Sequence, residues 1–138
     1  MRSLSLFVLS LSFMIACTDS TVPSAMLLVR IDRASLDTSG VLQVTFTVTN
    51  VGASSQDVPA CGGRLVPVVQ QQRGTRWDNF AGGICLANLS AVPITLPAGA
   101  SVSGATGVAG SETGIYRLVI SYARDGTPEA VSAPFDVP

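Results

Sequence analysis

The sequence predicts an all-β protein, a single antiparallel β-sandwich of seven or eight short strands. Three observations carry that expectation. Beyond the first sixteen residues, apolar side chains recur with a period of two, most plainly in Val41 to Asn50 and Ile115 to Ala123. The same region is rich in Val, Thr, Ser, Ala and Gly, which favours strands and turns over helices. No window of helical length in it shows a 3.6 period. A length of 138 residues suggests one such domain.

The elements follow in order. Leu27, Val29 and Ile31 alternate with Leu28, Arg30 and Asp32, a first strand. Asp37-Thr38-Ser39-Gly40 is turn chemistry. In Val41 to Asn50, Leu42, Val44, Phe46 and Val48 form one face and Gln43, Thr45, Thr47 and Thr49 the other, one dry and one wet. Asn50-Val51-Gly52 ends it. Gln56 to Ala60 and Leu65 to Gln71 are weaker strands. Arg73-Gly74 turns into Thr75 to Phe80. Val92 to Leu96 is a short strand interrupted by Pro93, which argues for an edge. Pro97-Ala98-Gly99 is a turn, and Ala100 to Gly107 runs on in Gly and Ser. In Ile115 to Ala123, Tyr116, Leu118, Ile120 and Tyr122 oppose Ile115, Arg117, Val119 and Ser121. Arg124-Asp125-Gly126-Thr127 carries an Asp-Gly hairpin signal. Glu129 to Val137 returns as the last strand, with Pro134 marking an edge or a bulge.

The N-terminus reads as an address. Arg2 is a positive start, and Leu4 to Ala16 is an apolar run. It is shorter than the roughly 20 residues of a spanning helix and has the length of a signal-peptide core. The run ends in Met14-Ile15-Ala16-Cys17, which resembles a bacterial lipobox, with methionine where leucine is commonest. The resemblance implies that residues 1–16 are a lipoprotein signal peptide. It implies a diacylglyceryl group on the Cys17 thiol and cleavage before Cys17 by signal peptidase II. Thr18 after the cysteine, in place of aspartate, implies transport to the outer membrane in a two-membrane envelope. An ordinary secretory signal is the alternative, although Met14 is large for the −3 position of that cut. Thr18 to Ala25 is polar and reads as a tether of at most about 28 Å. The domain would then span residues 26–138, held close to a membrane by lipid.

Assigning Cys17 to lipid leaves Cys61 and Cys85. An exported chain meets an oxidising compartment, so a disulfide between them is expected. Two free thiols and a metal site are the alternatives, and two cysteines without histidine rarely hold zinc. A bridge would close a loop worth roughly 3 kcal/mol.

The missing residue types exclude chemistry. All eight basic residues are arginine, and lysine and histidine are absent. Ser–His–Asp, Cys–His, Ser–Lys and Schiff-base systems, and lysine-dependent phosphate loops, all lose a required group. The nine acids show no pairing, so a two-carboxylate hydrolase is not expected, and no clustered run suits calcium. The expectation is a protein that is not an enzyme, with no cofactor, metal or small-molecule substrate. The net charge of −1 and scattered arginines argue against nucleic acid. Removing Arg2 with the signal leaves seven arginines against nine acids, a net −2.

Glu112-Thr113-Gly114-Ile115-Tyr116-Arg117-Leu118 resembles the acid-x-Gly-x-Tyr-x-Cys run of immunoglobulin-like domains, with Leu118 at the second cysteine. The resemblance implies an immunoglobulin-like sandwich in which Tyr116 is a tyrosine corner, its hydroxyl bonded back to the chain. A closer resemblance, over Leu42 to Tyr122, is to the bacterial intracellular proteinase inhibitor (BsuPI) type. Its motifs are a strand ending in Asn (Phe46 to Asn50), a turn Gly then Trp (Gly74, Trp77), Leu-x-x-Gly (Leu96 to Gly99) and Gly-x-Tyr-x-Leu (Gly114 to Leu118). That likeness implies protease inhibition. The Cys61 and Cys85 pair lies outside the pattern.

Trp77 and Phe80 with Arg73 and Arg76 are candidates for an exposed contact patch, since aromatics and arginine favour binding hot spots. Burial of Trp77 in the core is the preferred alternative. The Gly-rich loop Ala81 to Cys85 is the candidate recognition loop. The functional expectation is a lipid-anchored envelope protein that binds another envelope protein or serves a structural role, with protease inhibition as the alternative.

Overall fold

A computed structural model describes residues 26–122, 126 and 128–138. The signal peptide, Cys17 and the tether lie outside the described residues, as does most of the Asp-Gly turn at residues 123–127.

The chain is all-β and antiparallel. Twelve strand segments occur among the described residues, more than the seven or eight expected, because several expected strands are broken. One sheet has the order β1 (Leu27–Leu36), β2 (Val41–Asn50), β9 (Ser101–Ala109). A second has the order β11 (Pro128–Val131), β10 (Gly114–Tyr122), β6 (Val68–Arg73), β7 (Arg76–Gly82), with β12 (Phe135–Val137) also on β10. Two small ladders complete the set: β3 (Gln56–Val58) with β8 (Ile94–Leu96), and β4 (Ala60–Cys61) with β5 (Arg64–Leu65).

The two sheets form a sandwich because each has one apolar face to bury. The dry face of β2 and the Tyr116, Leu118 and Ile120 face of β10 belong to one buried cluster, joined by Val29, Val69 and Val137. Phe46 is fully buried, and a Cβ at Gly104 would come within 2.6 Å of its ring. That explains glycine in the middle of β9.

Buried polar groups fasten strands to the chain beside them. Asn50 is fully buried and fully satisfied: its Nδ2 donates to Ser54 O and Leu96 O, each at 2.8 Å, and its Oδ1 accepts from Gly52 N at 2.9 Å. Tyr116 is also fully buried. Its hydroxyl donates to Glu112 O at 2.8 Å and accepts from Gln71 Nε2 at 3.1 Å, the bond-back geometry of a tyrosine corner.

The β1–β2 turn is held by Asp37. Its Oδ1 accepts from Ser39 N, Ser39 Oγ and Val41 N, and Gly40 supplies the positive φ that follows. Those bonds, the Ser39 hydroxyl first, hold the Asp37 carboxyl below its ordinary value.

Two segments differ from expectation. The last strand splits into β11 and β12 around Ser132 and Pro134. Ser132 Oγ accepts from Leu118 N at 3.0 Å, replacing the ladder bond where the strand breaks. The Gly- and Ser-containing run Ala100 to Gly107 falls largely within the nine-residue β9, Ser101–Ala109, its period hidden by glycines at 104 and 107.

Tyr116→Phe removes bonds to buried groups and is expected to cost about 1–3 kcal/mol in urea unfolding; an unchanged midpoint would exclude the corner's structural role. Asp37 contributes stability above the ordinary carboxylate pKa, near 4, and loses it as pH falls through its lowered folded value. Thermal melting should therefore fall less steeply below about pH 4 in Asp37→Asn than in the parent.

Candidate recognition surface

The sandwich presents an exposed apolar loop at residues 83–93, between β7 and β8. Its origin is steric. At Gly82 the chain passes so close to Pro67 that a Cβ would overlap the Pro67 carbonyl oxygen, at 2.1 Å. Gly82 and Gly83 both have positive φ, and Gly83 N donates to Pro67 O at 3.1 Å. Only glycine makes this turn without strain. The chain then leaves the sheet.

Three contacts hold the loop. Cys85 is disulfide-bonded to Cys61 on β4, with Cα atoms 5.4 Å apart. Gly62 N donates to Ser90 O at 2.9 Å. Leu89 packs over Gly62, close enough that a Cβ there would lie 3.4 Å from its Cδ2. The receiving hairpin, β4 and β5, turns at Gly62 and Gly63, both at positive φ, the pair that a tight two-residue hairpin requires. Within the loop, Leu89 N donates to Leu86 O at 2.9 Å.

The held loop exposes what the core would normally take. Ile84 is 80% exposed, Leu86 62%, Val92 59% and Leu89 45%. Contiguous exposed aliphatics on a folded domain mark a contact surface more often than isolated ones do. The chain is uncharged from Asn79 to Ser111, a run in which this loop lies. Beside the loop, a groove of about 280 Å³ opens between the β4–β5 hairpin, β8 and β9. Leu65, Ile94 and Val102 line it, with the exposed Arg64 at its margin.

The four residues expected as a patch do not form one. Trp77 and Phe80 lie on opposite faces of β7. Three residues apart on a strand, the two side chains alternate to opposite faces, and Phe80 points inward, where it meets Tyr116 edge-on at 6.0 Å; the register slip between Val69 and Gln70 turns Ala81 inward as well. Trp77 lies opposite Gln72 on the outer face and is half-buried, so it is not in the core either. The Arg117 guanidinium sits 4.3 Å from its ring centroid, a cation–π stack. Arg117 Nε donates to Gln70 Oε1, and Gln70 Nε2 donates to Asn79 Oδ1, a polar ladder across β10, β6 and β7. Arg73 is turned back to Gln71 Oε1 at 3.0 Å, and Arg76 reaches Asp78 at 3.9 Å. Among the described residues no three of His, Cys, Asp and Glu gather as metal ligands would.

Sequence reasoning placed the loop at Ala81 to Cys85 and missed its larger part. The signal was present in the uncharged run, where Ile84, Leu86, Leu89 and Val92 show no period of two to place them in a sheet.

No protein-family description matches this chain, and no curated protein does. Solved structures match it weakly. An alkylpurine DNA glycosylase of Pseudomonas fluorescens, bound to DNA with an abasic-site analogue, is 12% identical with a TM-score of 0.41, covering 82% of this chain and 30% of its own. A β-glucosidase of Listeria innocua is 16% identical with a TM-score of 0.43, covering 80% of this chain and 15% of its own. The chain thus spans less than a third of each of these structures.

Reducing the disulfide, or replacing both cysteines by serine, should lower stability by about 3 kcal/mol. The amides of Gly62 and Leu89 should then accelerate more than those of β2 and β10, which speed up only by the loss of global stability. Equal acceleration everywhere would show that the bridge stabilises the whole frame and not the loop.

Proposed function

We propose that this protein is a lipid-anchored bacterial envelope lipoprotein whose immunoglobulin-like domain is a non-catalytic binding module. The observation that carries the reading is the stapled loop 83–93, four large aliphatic side chains held in solvent on a rigid frame. Loops on such frames are where binding residues concentrate. The sheet orders β1-β2-β9 and β11-β10-β6-β7 support the immunoglobulin-like assignment, since they follow the A-B-E and G-F-C-C′ strand orders of that fold.

The partner is another envelope protein, met through apolar contact. Nucleic acid and small-molecule substrates do not suit an uncharged aliphatic loop. The lipobox at Met14 to Cys17 supports the membrane anchor. Two acyl chains or more make such anchoring stable. A clickable palmitate analogue should label the protein in cells, and Cys17→Ala should abolish the label; a labelled Cys17→Ala variant would sink the anchor.

The binding reading is tested by crosslinking in intact cells. Ile84→Ser with Leu86→Ser should keep the parent melting temperature and lose most of the crosslinked partner, roughly tenfold or more, since each buried aliphatic at an interface carries about 1.5–3 kcal/mol. Undiminished crosslinking would refute the loop's role. A second reading, protease inhibition, is favoured by the same loop, because an exposed segment tied by a disulfide resists opening after contact with a protease. Stoichiometric inhibition of subtilisin-like or envelope proteases would establish it, and none at excess protein would end it.

A further inference from the structure

Sheet edges decide where another chain can add a strand. The β1 edge is guarded. Its register slips between Ile31 and Arg33, it carries Arg30, Asp32 and Arg33, and Val29 bridges to Ser132. The β9 edge has none of these devices. Its nine residues contain no charge and no proline, and they pair with β2 without a slip. The preceding strand, β8, is three residues long and pairs with β3 instead. Among the described residues, no strand hydrogen-bonds to the far side of β9, and the two-residue β5 is the strand that lies near it.

The ladder tells which groups face outward. The Asn50 N to Ala100 O bond sets the alternation, so Val102, Gly104 and Thr106 bond to β2. The N–H and C=O groups of Ser101, Ser103, Ala105 and Gly107 point away from it. The side chains agree. Thr49 and Ser101 hydroxyls lie 2.7 Å apart and Thr47 and Ser103 3.3 Å apart, the close approach of non-hydrogen-bonded pairs.

The groove described above lies beside Val102 to Ala105 of this edge, with Leu65 and Ile94 also lining it. Arg64 stands at its margin, and among the described residues no carboxylate pairs with it. We propose that the β9 edge binds an extended segment of the partner protein as an added strand, with an acidic side chain of that segment on Arg64 and an apolar neighbour against Leu65, Ile94 and Val102. This deepens the binding-module reading and rests on it. Main-chain bonds to the edge would supply affinity, and the groove would supply selectivity. A second copy of this chain fits less well, because its own β9 brings no carboxylate to Arg64.

The test uses the mature protein and a synthetic nine-residue peptide, matched to the length of β9, of alternating valine and threonine with one central glutamate. Amide NMR titration should move Ser103, Ala105 and Gly107 more than Val102, Gly104 and Thr106. N-methylation of one alternate set of peptide amides should abolish binding, and of the other set should not. Arg64→Gln, or glutamine in place of the peptide's glutamate, should weaken binding roughly five- to tenfold. Four results would overturn the proposal: no shifts at millimolar peptide, indifference to N-methylation, the outward amides of Ser103, Ala105 and Gly107 already protected in the free protein, or dimerisation through β9 that excludes the peptide. A silent β9 edge with a crosslink still sensitive to Ile84→Ser and Leu86→Ser would overturn this proposal and leave the loop's role standing. Peptide binding at the edge with a crosslink indifferent to those loop substitutions would do the reverse.

Discussion

The contact between the dry faces of β2 and β10 is what everything else here rests on. Leu42, Val44, Phe46 and Val48 share one buried cluster with Tyr116, Leu118 and Ile120. A buried aliphatic or aromatic side chain contributes about 1.5–3 kcal/mol, so these seven dominate the stabilising side of the core. The layer also explains residues that otherwise look arbitrary. Gly104 is a glycine because the Phe46 ring fills its side-chain space. Asn50 is tolerated in the interior because its amide satisfies two carbonyls and one backbone N–H at the end of β2. Tyr116 places a large ring in the layer while its hydroxyl closes the turn at Glu112.

A frame built this way leaves its connections free to differ. The chain between β7 and β8 leaves the sheet at two glycines, crosses to the β4–β5 hairpin and is tied there by the Cys61–Cys85 bridge. The bridge and the Gly62 to Ser90 bond substitute for the core burial that the loop lacks. Ile84 and Leu86 therefore remain exposed without depending on the interior for their position. The groove beside β9 arises from the same diversion. β8 pairs with β3, and a groove is left beside Val102 to Ala105 of β9.

Much of this was legible in the residues. Val41–Asn50 matches its expected strand end to end, because alternation with a wet face is the least ambiguous strand signal. Parity among the cysteines pointed to the 61–85 pair, and the acid-x-Gly-x-Tyr run pointed to Tyr116. The failures have physical causes. β9 hid behind two glycines, one of which, Gly104, the Phe46 ring demands. Ser132 substitutes its hydroxyl for a ladder bond, a break that Pro134 alone marked only loosely. Trp77 lies neither in the core nor in an exposed patch; it stacks with Arg117 on the outer face. Its spacing of three residues from Phe80 puts the two on opposite faces of a strand, so one patch could not hold both.

The central claim is that a rigid sandwich holds an ordered apolar loop in solvent. Methyl NMR of the oxidised protein with a soluble nitroxide tests it most directly. The account predicts strong broadening of the Ile84, Leu86 and Val92 methyls, and sharp signals from Leu42, Val44 and Leu118. Protected Ile84 and Leu86 methyls, or core methyls broadened as strongly as those of the loop, would contradict it.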